Sequence, residues 1–167
     1  MHIRPVIEAD LPEILDIHND SILNSTANWS YYPDTLLGRL ALLEELDAKN
    51  YAYIAAFEND TLMGYAYIND FRKRDAYCQT VEHSVYVHKN HHRKGVARAL
   101  MIELIDAARN IQKHVMIGAL EAGNEPSIAL HKALGFMETG RLLQVGYKFN
   151  RYMDLVLMQK LITPLEN

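Results

Sequence analysis

The segment Val85 to Arg98 reads Val-Tyr-Val-His-Lys-Asn-His-His-Arg-Lys-Gly-Val-Ala-Arg, and its residue types and spacing bear most directly on chemistry. A β-like run passes into a basic loop, then a glycine and small residues, then an amphipathic pattern. A helix that starts there offers free backbone N–H groups and the positive end of its dipole, which together suit phosphate oxygens. Gly95 removes a side chain where a pyrophosphate would approach the backbone, and Ala97 is small for the same reason. Arg93, Lys94 and Arg98 add positive charge around Val96. The competing reading is an ordinary helix N-terminus with solvated basic residues, and the segment alone does not decide between the two. Lys94 is not part of a Gly-x-x-x-x-Gly-Lys-Ser/Thr pattern, which disfavours a nucleoside triphosphatase. His88, His91 and His92 lie near one another, but on a strand end and loop with no fourth ligand, so no metal site is expected.

The elements that must position this segment follow from periodicity and punctuation. His2 to Ile7 reads as a strand, and Asp10-Leu11-Pro12-Glu13 as a helix start with Asp10 as its N-cap. Leu11, Ile14, Leu15, Ile17 and Ile22 carry that helix toward Leu23. Asn24 to Pro33 reads as a loop, and Asp34 to Ala48 as a second helix with a leucine stripe. Tyr51 to Phe57 and Leu62 to Phe71, joined by Glu58-Asn59-Asp60, give a hairpin signal. Thr80 to His88 is a third long strand. Gly95 to Ala108 is a helix, Val115 to Leu120 a short strand, and Pro126 to Leu134 a helix stopped by Gly135. Phe136 to Leu142 and Lys148 to Met158 read as the last strands. The expected order is βααβββαβαββ, an α/β fold with a mixed sheet flanked by helices. A crossover helix between Thr80–His88 and Val115–Leu120 calls for parallel pairing there.

Bulk properties narrow the class. The 167 residues, 49% of them hydrophobic, suit one domain over 1–167 with its own core. A net charge of −4 argues against nucleic acid as a partner. No segment approaches the roughly 20 apolar residues that span a bilayer, so no membrane partner is expected. Met1-His2-Ile3-Arg4-Pro5 has no apolar core of an export signal, and the single cysteine, Cys78, fits a reducing compartment. The expected location is the cytoplasm.

The glycine and final alanine of His92-Arg93-Lys94-Gly95-Val96-Ala97 match the GNAT pyrophosphate loop, Gln/Arg-x-x-Gly-x-Gly/Ala, while His92 departs at its first position. With Thr80-Val81-Glu82-His83-Ser84-Val85-Tyr86-Val87 before it, Asn124 to Phe136 after it, and Val145-Gly146-Tyr147-Lys148-Phe149 ahead of Asp154, the chain resembles the GNAT superfamily. Within it, the phosphinothricin/methionine sulfoximine acetyltransferase branch is the most similar. The resemblance spans nearly the whole chain. It implies the GNAT fold, acetyl-CoA as co-substrate without a metal, N-acetyl transfer to a small amino-acid-like substrate, and a homodimer. It also implies that Val85, Tyr86 and Val87 bond acetyl-CoA through their backbone, that residues 92–98 hold the pyrophosphate, and that Asn124 contacts the cofactor.

Glu82 is then the leading catalytic residue. An amine attacks only when neutral, and a carboxylate beside the acetyl group can take its proton, directly or through water. Alternation puts Glu82, Ser84 and Tyr86 on one face and Val81, His83, Val85 and Val87 on the other, unless a bulge intervenes. Backbone N–H groups near Val85 would stabilise an oxyanion on the acetyl group. His131 occupies the place where many GNAT enzymes keep a tyrosine that protonates the leaving thiolate, with helix packing as the alternative. Arg72, Arg74, Asp75, Ala76 and Tyr77 resemble the branch's substrate loop. A guanidinium fork there suits carboxylate, phosphinyl or sulfonyl oxygens. Lys148 and the loop Asn28–Trp29 are candidates for the far side of the pocket. A GNAT enzyme for another small amine or a protein N-terminus, and a non-catalytic acyl-CoA-binding domain, are the competing readings.

Overall fold

Runs of alternating and β-branched residues form strands, and 3.6-period stripes form helices, in the expected order. The computed structural model describes residues 1–163. Its strands are β1 (His2–Pro5), β2 (Tyr53–Glu58), β3 (Thr61–Asp70), β4 (Thr80–Val87), β5 (Val115–Glu121), β6 (Met137–Lys148) and β7 (Arg151–Leu161). Its helices are α1 (Leu11–Asn24), α2 (Leu36–Ala48), α3 (Val96–Asn110) and α4 (Glu125–Ala133). The strands form one mixed sheet in the order β1-β2-β3-β4-β5-β7-β6. Only the β4–β5 pair is parallel among the described residues, as the crossover through α3 requires.

Two apolar layers cover the sheet. Leu100, Met101 and Leu104 of α3 pack with Ala66, Ile68, Val81, Met116 and Met158 on one face, where Ile128 of α4 joins them. Leu11, Ile14 and Ile17 of α1 and Leu46 of α2 pack with Tyr53, Ala55 and Tyr65 on the other. Each fully buried large side chain contributes about 1.5–3 kcal/mol of apolar transfer free energy.

Several boundaries differ from the sequence reading for local reasons. β1 stops at Pro5, because Ile7 and Asp10 close a short 3-10 turn over Glu8–Asp10. Asp10 does not cap α1 with its side chain: it accepts from the Ile7 N–H at 2.9 Å and pairs with Arg4 at 2.7 Å. α2 begins after Thr35, whose hydroxyl accepts from the Gly38 N–H at 3.1 Å. Asp34 instead pairs with Arg39. The last hairpin is the largest correction. β6 runs from Met137 through Lys148, and a register shift between Leu142 and Gly146 breaks the alternation that would have revealed it. The turn into β7 is Phe149-Asn150, both with positive φ, without the glycine that usually marks such turns.

Lys148 therefore ends β6, and its position explains its burial. Its Nζ donates to the carbonyls of Ile22 at 2.6 Å, Ser25 at 2.9 Å and Asn28. These bonds use all three ammonium hydrogens on the α1–α2 connection, so Lys148 clamps that loop and has no N–H left for a further acceptor. Burial lowers its pKa from the ordinary lysine value. The same loop is pinned by Trp29, whose ring would lie 2.5–2.8 Å from a Cβ at residue 146; glycine there permits the contact. Lys148→Met keeps the stem but strands three carbonyls, and should cost about 2–4 kcal/mol of stability. Urea denaturation measures it, and a midpoint equal to the parent's would show that the clamp contributes nothing.

Candidate active site

The site begins where two strands part. β4 and β5 pair only through Thr80↔Val115, Val81↔Met116 and Glu82↔Ile117. β3 follows β4 out to Val87, and β7 follows β5 out to Glu121. From His83 to Val87 the β5-facing edge of β4 thus has no strand partner among the described residues. β4 carries no bulge, so the expected alternation holds. Val81 packs under α3, with Val85 and Val87 at its margin, while Tyr86 packs toward α1 and α2.

The open edge leads back to the glycine loop. Arg93 and Gly95 both have positive φ, 60° and 82°. Gly95 is the N-cap of α3 and lies outside the helix it was expected to open, because a left-handed residue cannot belong to the helix. The first bond of α3 runs from the Ala99 N–H to the Gly95 carbonyl at 3.0 Å, which leaves the N–H groups of Val96, Ala97 and Arg98 without helical acceptors. Arg93, Lys94 and Arg98 are exposed around them. These residues fit a pyrophosphate. His92 does not add to that fit: its Nε2–H donates to the Val87 carbonyl at 3.0 Å, so a neutral ring has only an acceptor left.

At the other end of the open edge lies a cavity of about 300 Å³. Glu82, Ser84, Val85 and Tyr86 line it from β4, Glu121 from β5, Asn124 and His131 from the following turn and α4, and Asn28 and Trp29 from the α1–α2 loop. Among the described residues no lysine or arginine lines it. Glu82 is half-buried, and that burial raises its pKa above the ordinary glutamate value, opposed by the charge of Arg72. Such a carboxylate can accept a proton near neutral pH more readily than a solvated one. The Tyr86 hydroxyl is pushed up by burial and stays neutral, and Asn28 donates to it at 3.4 Å. Asn124 caps α4 through Oδ1, which accepts from the Ser127 N–H at 3.2 Å, and its amide nitrogen has no partner among the described residues.

His131 is buried, and its two ring nitrogens are both engaged. Nδ1 lies 2.7 Å from the Ser127 carbonyl, so it carries the proton. Nε2 lies 2.9 Å from Nε2 of His83, so His83 must donate there. His131 has no N–H left for the cavity. An acid role would also need a charged ring, and burial lowers the pKa of His131 and takes that of His83 down to about 3. In this arrangement both ring nitrogens of His131 are occupied within the fold, which favours packing over an acid role.

The predicted substrate loop stands apart. Arg72, Arg74, Asp75, Ala76 and Tyr77 are exposed on the turn before β4, with a 3-10 helix over Asp75–Tyr77, and none lines the cavity. Phe71 carries the Arg72 guanidinium 4.6 Å above its ring and meets Tyr77 edge-on. The sequence reading missed Glu121. It is buried at the end of β5, near Thr26 and Arg151, and no motif spacing marks it. It also missed Gly118, whose role depends on a contact between distant segments.

His18, bonded to the Tyr65 hydroxyl at 2.7 Å, is held by burial and the charge of Arg39 at a pKa of about 4. Unfolded, His18 and His83 titrate near 6.5, so between there and their folded values the unfolded chain binds more protons. Stability should be full above about pH 6.5 and fall as pH drops, by up to roughly 1.4 kcal/mol per unit for each ring. Urea midpoints at pH 7, 6 and 5 test this, and a flat series would refute it.

Residues 3–157 match a family model described as an Acetyltransferase (GNAT) domain. The chain is 42% identical over 159 residues to the L-methionine sulfoximine/L-methionine sulfone acetyltransferase of Salmonella typhimurium, covering 95% of this chain and 93% of that one. It is 36% identical over 160 residues to the phosphinothricin N-acetyltransferase of Alcaligenes faecalis, covering 95% and 81%. The solved structure of yncA from Salmonella typhimurium, with its cofactor acetyl-CoA, matches with a TM-score of 0.97 and 40% identity, covering 100% of this chain and 96% of that one. This chain therefore belongs to the GNAT family and is an acetyl-CoA-dependent N-acetyltransferase.

Proposed function

We propose that the acceptor is the α-amino group of a small amino acid with an oxygenated side chain of the methionine sulfoximine, methionine sulfone or phosphinothricin type, and that Glu82 is the general base. The observation that carries this is Glu82 itself, a half-buried carboxylate with a raised pKa at the point where β4 and β5 part. The cavity around it is small and carries Glu82 and Glu121 but no cationic side chain, which favours an ammonium group entering it. The names of the similar enzymes support the substrate class.

Acetyl-CoA supplies, when bound, an acyl group activated as a thioester. The N–H groups of Val96, Ala97 and Arg98, with the side chains of Arg93, Lys94 and Arg98, hold the pyrophosphate. The open edge of β4 from Val85 to Val87 and the uncommitted amide of Asn124 are the groups that would hold the arm. Glu82 takes the proton from the incoming ammonium group, directly or through water. Arg72 and Arg74 meet the substrate's oxygens from outside the cavity. The cavity volume favours this reading over a protein N-terminus.

We also read residues 1–167 as one domain of a cytoplasmic homodimer. β6 is an edge strand, and Leu143, Val145, Phe149 and Tyr152 on the β6–β7 hairpin are exposed. Such an apolar edge is a self-association surface. The net charge of −4 disfavours nucleic acid, and among the described residues no helix is long and apolar enough to cross a membrane.

Glu82→Gln should lower turnover by about 10²–10⁴-fold, and the deficit should shrink at high pH, where the ammonium group loses its proton unaided. Near-parental turnover with a flat pH response would remove Glu82 from the proton path. In a thiol-release assay, methionine sulfone, methionine sulfoximine and phosphinothricin should outperform methionine by about tenfold or more in kcat/KM, since a thioether accepts only weak hydrogen bonds. Equal rates for methionine and its sulfone would sink the substrate assignment.

A further inference from the structure

The imidazole pair formed by His83 and His131 is left without a part in the proton path. The rings stack with centroids 5.0 Å apart, and Phe136 meets each of them edge-on. His83 follows Glu82 on β4, and Gly118 follows Ile117 on β5, so both stand one residue beyond the last paired positions. A Cβ at residue 118 would lie 2.8 Å from His83 Nε2 and 2.9 Å from His131 Nε2. The two rings therefore press on the β5 backbone and fill the narrow end of the gap.

Their proton arrangement is closed at one end and open at the other. The Ser127 carbonyl accepts from His131, His131 accepts from His83, and His83 Nδ1 has no hydrogen-bond partner although it is buried. A carbonyl cannot pass a proton on, so the chain is no proton wire. An orphaned buried acceptor is destabilising, a penalty that an apolar filler of similar size would avoid. What the pair does have is a position. It lines the same cavity as Glu82 and Val85, at the end of the open β4 edge farthest from the glycine loop.

We propose that the His83–His131 pair is the floor of the acyl pocket and restricts the thioester to the shortest acyl chains. This rests on the reading that the acetyl-CoA arm runs along β4 from the glycine loop toward Glu82. An arm laid along Val87 and Val85 delivers its acyl end to the apex, where the next obstacle is the His83 ring. That ring cannot retreat: Gly118 lies behind it, and His131 and Phe136 flank it. Each added methylene must then displace a packed ring, whereas removing the ring opens space for it.

The test is kcat/KM for acetyl-, propionyl- and butyryl-CoA with one saturating amine, in the parent, His83→Ala and His131→Ala. The parent should favour acetyl over butyryl by about tenfold or more, the usual discrimination for added methylenes in a tight pocket. The butyryl-to-acetyl ratio should rise about tenfold or more in His83→Ala, even if both rates fall. His83→Asn, which removes less volume, should give a smaller rise and serves if His83→Ala does not fold. A purely structural role for the pair would lower all rates together and leave the ratio unchanged. That result, or a parent indifferent to chain length, overturns this inference alone. A parent that transfers no acyl group overturns the reading of the site as well.

Discussion

The divergence of β4 from β5 after three paired residues is the constraint on which the rest of the structure depends. Parallel strands joined by a helix normally stay paired, and opening them exposes backbone groups that need partners. Both strands can part because each is secured on its other side, β4 by β3 and β5 by β7. The gap reaches through the sheet. The cavity at the gap is lined by Glu82 to Tyr86 of β4, by Glu121 of β5, by Asn124 and His131 beside α4, and by Asn28 and Trp29 of the α1–α2 loop.

Charge is distributed to match. Positive groups collect at the N-terminus of α3, where the helix dipole adds to them. The cavity itself holds carboxylates and neutral rings. His83 and His131 stay neutral because burial penalises their charged forms, and Glu82 is pushed in the same direction by the same cause. One physical effect, removal from water, therefore keeps two histidines uncharged and makes a glutamate more basic. The offsetting charge of Arg72 limits how far Glu82 moves.

One wall of the cavity is built from a loop with little apolar content of its own. Asn24 to Pro33 has no periodic stripe to bury, so it is positioned from outside. The Lys148 ammonium gathers the carbonyls of Ile22, Ser25 and Asn28, and Gly146 admits the Trp29 ring against β6. Both anchors come from the far end of the chain. The last hairpin thus contributes to the site by holding another segment in place, and Leu155 of β7 completes the cavity lining.

Element order, the parallel crossover and the facing of Glu82 against His83 were legible in the sequence, because they follow from periods of 2 and 3.6 and from glycine and proline punctuation. The glycine-started helix N-terminus was legible for the same reason: strand, Gly95 and helix are contiguous, so local rules govern it. The hairpin β6–β7 was blurred, since the irregular pairing between Leu142 and Gly146 hides its alternation and Phe149-Asn150 turns without glycine. The hydrogen-bond partners of Lys148, His92 and His131 were decided only by tertiary structure. Each depends on which backbone carbonyl or ring a side chain meets, 120 residues away for Lys148 and Asn28, and 48 for His131 and His83. A residue's type lists the hydrogen bonds it can make, and only the fold determines which partners take them.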